Sequence, residues 1–77
     1  MYVTITVETE GKRHTISIDE RQYVSAVYEI LKERGLVDGK TTPGLYKSAL
    51  LEEWVRTEKT FKEQDISSGD ILTAGPA

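Results

Sequence analysis

Cysteine is absent from this chain, which excludes disulfide staples and thiolate chemistry and suits a reducing, cytoplasmic address. Histidine occurs once, at His14, so the multi-imidazole and thiolate ligand sets of transition-metal sites cannot be assembled, and no metal or cofactor is expected. No apolar run approaches the roughly 20 residues needed to span a bilayer. The N-terminus opens directly on an alternating strand pattern, without the basic and apolar regions of a secretory signal. No block of like charge suggests an interaction tail. Ten basic and thirteen acidic residues leave a net charge of -3, a poor match to the phosphate neutralisation that drives non-specific nucleic-acid binding. Gly35, Gly39 and Gly44 lie outside any strand-to-helix context, so they read as cap and turn glycines and no phosphate loop is present.

What remains is material for one small domain over residues 1–77, near the size at which a single core only just stabilises a chain. Tyr2 to Glu8 alternates, with Val3, Ile5 and Val7 on one face, the period of a half-buried strand. Glu10-Gly11-Lys12 supplies a turn, and a second alternating run places His14, Ile16 and Ile18 in phase. This makes a β-hairpin whose apolar side needs a cover. The cover follows. Asp19 and Gln22 form a capping-box pattern flanked at staple spacing by Ile18 and Tyr23. Val24, Val27 and Leu31, with Tyr23 and Ile30 one step round, make a helical stripe. Gly35 stands where a left-handed C-cap belongs, with Leu36 placed for a Schellman ending.

Val37 to Gly44 is a turn-rich linker. Leu45 to Val55 admits two readings. Tyr46, Leu50 and Trp54 recur every four residues in helix-forming composition, yet a hairpin alone makes no stable sheet and needs further strands. The strand reading is preferred, over Tyr46 to Leu51 and near Trp54 and Val55. Phe61 to Ile66 reads as a turn or short 3₁₀ segment, Ser68-Gly69-Asp70 as a tight turn, and Ile71 to Ala74 as a closing strand.

Hairpin, capped helix, two short strands, tight turn and final strand is the order of the β-grasp fold. The expected class is α+β, a mixed four- to five-stranded sheet packed on one main helix. The closing segment Thr60-Phe61-Lys62-Glu63-Gln64-Asp65-Ile66-Ser67-Ser68-Gly69-Asp70-Ile71-Leu72 is similar to the end of ubiquitin-like domains. Its Ser-Gly-Asp-Ile-Leu run resembles the small bacterial YukD/EsaB proteins associated with type VII secretion. The resemblance implies a cytoplasmic, non-enzymatic accessory that binds other proteins. It also fits the ending Ala74-Gly75-Pro76-Ala77, where covalent modifiers and sulfur carriers of this design expose Gly-Gly and here a proline follows a single glycine. A gapless count back from Thr60-Phe61 puts the position of ubiquitin's main recognition isoleucine on Ala49. Alanine buries less surface by about two to three CH₂ groups at about 0.8 kcal/mol each, so ubiquitin receptors are not the expected partners.

The residues offer little chemistry. His14 lies in phase with Ile16 and Ile18 and reads as a partly buried strand residue, with no nucleophile or carboxylate placed beside it. Glu52-Glu53 reads as a solvated turn, and Ser67-Ser68 lacks a histidine partner. The aromatics Tyr2, Tyr28, Tyr46 and Trp54 exceed what so small a core can hold, and Tyr and Trp are favoured interface anchors. On the strand reading Lys47, Ala49 and Leu51 share one face, with Trp54 nearby. These four form the expected protein-binding surface; the alternative is that Trp54 completes the core. A rival of another class is a small β-grasp subunit of a multicomponent enzyme such as a diiron monooxygenase.

Overall fold

Two alternating runs joined by two residues of positive φ build the first hairpin. The computed structural model describes residues 1–40 and 42–75. Strand β1 (Tyr2–Thr9) pairs antiparallel with β2 (Lys12–Asp19) from Thr9↔Lys12 to Tyr2↔Asp19. Glu10 and Gly11 have φ of 52° and 73°, the type I′ geometry whose twist matches that of the strands it joins. Val3, Ile5, Val7, Ile16 and Ile18 are buried on one face.

Helix α1 (Ala26–Glu33) covers that face. It begins later than the capping-box pattern at Asp19 implies. Asp19 instead closes a local turn, its carboxylate accepting the Arg21 amide and holding the Arg21 guanidinium, both at 2.9 Å. The next amides are committed elsewhere. Tyr23 bridges Thr60, while Val24 and Ser25 donate to the carbonyls of Lys59 and Thr57. Only from Ala26 onward are backbone groups free for a helix, and Ser25, its N-cap, makes no side-chain capping bond. With this start Ile18 and Tyr23 are not at staple positions. Tyr23 is exposed and outside the stripe, and Tyr28 takes its place beside Val24, Val27 and Leu31. The other end follows the expected Schellman pattern. Gly35 (φ 71°) donates to the Lys32 carbonyl and Leu36 to that of Leu31.

The remaining strands are β3 (Leu45–Ser48), β4 (Glu53–Arg56) and β5 (Ile71–Ala74), giving a five-stranded sheet of order β2-β1-β5-β3-β4. β5 runs parallel to β1 and antiparallel to β3. Leu45 to Val55 is therefore two strands joined by a turn over residues 49–52, as the need for further strands requires, but β3 is shorter than the expected Tyr46 to Leu51. The Ala49 amide still donates to the Ile71 carbonyl of β5, but the two amides after it are taken by side chains, and β3 stops at Ser48. Leu50 donates to the Asp70 carboxylate at 3.1 Å and Leu51 to Ser48 Oγ at 3.1 Å. The chain then turns through Glu52 (φ 56°). This reverses the two leucines relative to strand alternation: Leu51 packs against the core, and Leu50 faces solvent.

Phe61 and Ile66, the ends of the expected turn, are both buried, and Ile66 donates to the Phe61 carbonyl at 3.1 Å. Tyr28 and Tyr46 are core residues, not exposed aromatics. Burial pushes Tyr28 above the ordinary tyrosine range and Tyr46 up to about 12. Neither hydroxyl has a hydrogen-bond partner among the described residues.

Candidate protein-binding surface

The sheet face away from α1 divides into two chemically distinct halves. On β1 and β2 the outward side chains satisfy one another across the strands. Thr4 meets Ser17 at 2.8 Å, Thr6 meets Thr15 at 3.2 Å, and Arg13 pairs with Glu8 at 2.8 Å. Polar groups already paired in this way offer a partner little. The β3–β4 half differs. Lys47 lies directly opposite Trp54, and its ammonium sits 5.5 Å from the indole centroid, within cation–π range.

Trp54 is 51% exposed, so it does not complete the core. Its indole lies across the chain at Gly75: a Cβ at that position would come within 2.5 Å of the ring. Gly75 is itself fixed, donating to the Leu45 carbonyl at 2.8 Å. The aromatic ring thus has the Gly75 backbone against its six-membered ring and the Lys47 ammonium over its face, with half its surface open. Ala49 is exposed in the turn after β3 and Leu50 is 59% exposed. Of the four residues expected to form the surface, Lys47 and Trp54 come together on the sheet. Ala49 borders them from the turn, and Leu51 faces inward. Because Ala49 stands beyond β3, the outward residue at the middle of the β3–β4 half is Lys47.

A buried polar group positions this turn. Asp70 is 1% exposed. Its carboxylate accepts hydrogen bonds from the Ser48 hydroxyl at 2.5 Å, the Leu50 amide at 3.1 Å and the Ile71 amide at 2.8 Å. Its own carbonyl accepts from Thr6. Ser68 and Gly69 add contacts to β1, Ser68 Oγ accepting the Thr4 amide and Gly69 donating to the Thr4 carbonyl. The Ser-Gly-Asp run therefore ties β1, the β3–β4 turn and β5 at one point. Sequence reading registered it as a turn and missed the carboxylate's role; an aspartate directly before an apolar strand was the available signal. It also missed Leu50 and Gly75.

His14 is half-buried opposite Val7, the strand position expected of it, with Nε2 unpartnered among the described residues. Ser68 is engaged with β1, and Glu52 and Glu53 are exposed. Pro76 and Ala77, on which part of the C-terminal expectation falls, lie outside the described residues.

No family profile matches the chain, and no characterised protein matches it in sequence. Solved structures do. A de novo designed protein based on ubiquitin superposes with a TM-score of 0.72 at 21% identity, over 96% of this chain and 87% of the other. The ubiquitin-like domain of EccD5 from Mycobacterium xenopi superposes with a TM-score of 0.60 at 15% identity, over 97% and 93%. At these identities the likeness is one of fold. The chain is an α+β, ubiquitin-like β-grasp domain, a mixed five-stranded sheet carrying one helix.

Proposed function

We propose that this domain is a non-enzymatic protein-binding module that serves as an accessory or regulator of a type VII secretion apparatus. The observation that carries the binding reading is the half-open Trp54 indole, fixed between Gly75 and Lys47 on the sheet face that the helix leaves bare. A large aromatic already held in place loses little entropy on docking, which is why such residues dominate interfaces. The secretion reading rests on the resemblance of Ser68 to Leu72 to YukD/EsaB proteins, with the fold likeness to the EccD5 ubiquitin-like domain in support.

The test is affinity capture of tagged protein from its host, with a Trp54→Ala variant alongside. The expected result is recovery of membrane components of the secretion apparatus by the native chain and their loss from the variant, which stays folded by circular dichroism. Recovery of a large metalloenzyme in stoichiometric amount would move the assignment to an enzyme subunit. Full retention of partners by a folded Trp54→Ala variant would remove the surface from the proposal.

A further inference from the structure

The sheet has two edges, and they are covered unequally. At β4 the outward-facing backbone of Arg56 is engaged by a side chain: its amide donates to Gln64 Oε1 at 2.6 Å, and its carbonyl accepts from Gln64 Nε2 at 2.9 Å. Just beyond, the carbonyls of Thr57 and Lys59 accept from Ser25 and Val24. The Gln64 amide occupies the place a neighbouring strand would take at Arg56, which leaves the Trp54 amide and carbonyl as the one outward pair of β4 without a backbone partner among the described residues. β2 has no such cover. On β1 the amide of Thr6 and the carbonyl of Thr4 turn towards the β5 side. By strand alternation Val3, Ile5 and Val7 bond β2 through Ile18, Ile16 and His14. The amides and carbonyls of Arg13, Thr15 and Ser17 therefore point away from the sheet. They have no backbone partner among the described residues.

Alongside this open edge runs a groove of about 330 Å³ between β2 and α1. Ile18, Ala26 and Ile30 give it apolar walls, and Glu29 and Glu33, one helical turn apart, stand on its helix side. No lysine or arginine lines it. The acidic Asp19 at its end is matched by Arg21 at 2.9 Å, whereas Glu29 and Glu33 form no ion pair among the described residues. Apolar walls beside unpaired strand backbone, under an uncompensated pair of carboxylates, define the complementary ligand. It is an extended segment that adds a strand to β2, sets alternate apolar side chains in the groove and carries lysine or arginine towards Glu29 and Glu33.

We infer that the β2 edge is a second docking site, which takes an extended apolar segment flanked by basic residues from a partner protein. It is separate from the Trp54 surface and does not depend on the secretion reading.

The probe is an acetylated and amidated peptide of alternating valine and threonine with lysine at both ends, as long as the eight residues of β2. A second peptide carries glutamate in place of lysine. Binding is followed by amide chemical shifts. The expected result is saturable shifts at Thr15, Ser17 and Ile30, with the glutamate peptide weaker by at least about tenfold. Ser17→Pro removes one outward amide while leaving the β1 ladder intact, and is expected to lower affinity by about tenfold or more. Should that variant fail to fold, the double change Glu29→Lys and Glu33→Lys tests the same site on the helix surface and is expected to reverse the preference between the peptides. Several results would overturn the inference: no saturable binding, equal binding of both peptides, shifts confined to Lys47 and Trp54, or a concentration-dependent dimer through β2 that excludes the peptide. A failed secretion assignment would change none of these readouts.

Discussion

Replacement of Asp70 by alanine is the most demanding test of how the β3–β4 turn is held. The side chain is 1% exposed and accepts three hydrogen bonds, from the Ser48 hydroxyl and the amides of Leu50 and Ile71. Removing the carboxylate leaves three donors without an acceptor, each costing about 1–3 kcal/mol where water cannot reach it. Leu50 is exposed and its amide can turn to solvent, so the loss falls mainly on Ser48 and Ile71. The expected total is about 3–5 kcal/mol for Asp70→Ala, and about 1–2 kcal/mol for Asp70→Asn, which keeps one acceptor oxygen. A domain of 77 residues has about 4–12 kcal/mol of stability in all, so the alanine variant loses a large part of it. Ser48→Ala should cost about 2–3 kcal/mol, because it orphans both one carboxylate oxygen and the Leu51 amide. Since Ser48 and Asp70 act on one another, the double variant should cost less than the sum of the two single changes. Urea unfolding followed by far-ultraviolet circular dichroism measures all four. A cost below about 1 kcal/mol for Asp70→Ala with an unchanged denaturant slope would refute the account of the turn.

Tyr46→Phe should stabilise the domain by about 1 kcal/mol, because it removes a buried hydroxyl with no partner among the described residues. The Tyr46 phenol is pushed up to about 12 from 10.0 by burial; its neutral form is favoured in the fold, so stability holds below pH 10 and falls as pH rises towards 12. The phenylalanine variant should flatten that alkaline fall in pH-dependent unfolding. At the acid end, hydrogen bonds from Arg21 hold the Asp19 carboxyl well below its usual 3.8. Its contribution is complete above that value and lost as pH falls through the depressed folded value, so Asp19→Asn should show a shallower acid loss in the same experiment. Gln64→Ala should expose the Arg56 backbone at the β4 edge, lowering stability by about 1–2 kcal/mol and raising aggregation in light scattering. Gly75→Ala should push the indole of Trp54 off its seat, since the new methyl would meet it at 2.5 Å; a red-shifted emission maximum reports this, and unaltered emission would refute the packing.

The fold was largely legible because its signals are local or periodic. The alternation of Val3, Ile5 and Val7, the Glu10-Gly11 turn and the Gly35 cap each depend on residues adjacent in sequence, and each stands as expected. The discrepancies have a common cause in contacts distant along the chain. The start of α1 is set by the amides of Val24 and Ser25 bonding to the carbonyls of Lys59 and Thr57, which no capping pattern near Asp19 reveals. β3 ends at Ser48 because Asp70, 22 residues on, captures the Ser48 hydroxyl and the Leu50 amide. Within the candidate surface, Lys47 and Trp54 were reachable through strand alternation, whereas the exchange of Leu51 for Leu50 follows from that long-range capture.

A ubiquitin-like fold constrains the face that meets the helix far more than the face that does not. The apolar positions of β1, β2 and β5 must bury against α1 or the domain loses its core, so sequences only 15–21% identical can still share them in three dimensions. Outward positions carry no such requirement, and their chemistry therefore reports on partners. Here the outward residues Thr4, Thr6, Glu8, Arg13, Thr15 and Ser17 are paired among themselves, and Gln64 covers the β4 edge at Arg56. Two places keep unspent binding capacity: the open half of the Trp54 ring and the backbone of β2 beside Glu29 and Glu33. One offers aromatic surface and the other offers hydrogen bonds and negative charge. A partner that engaged both would hold an apolar contact on the sheet face while threading a basic strand along the opposite edge. Trp54→Ala would then remove such a partner from capture, as it would one held at the sheet face alone, whereas Ser17→Pro would lower its affinity without abolishing capture.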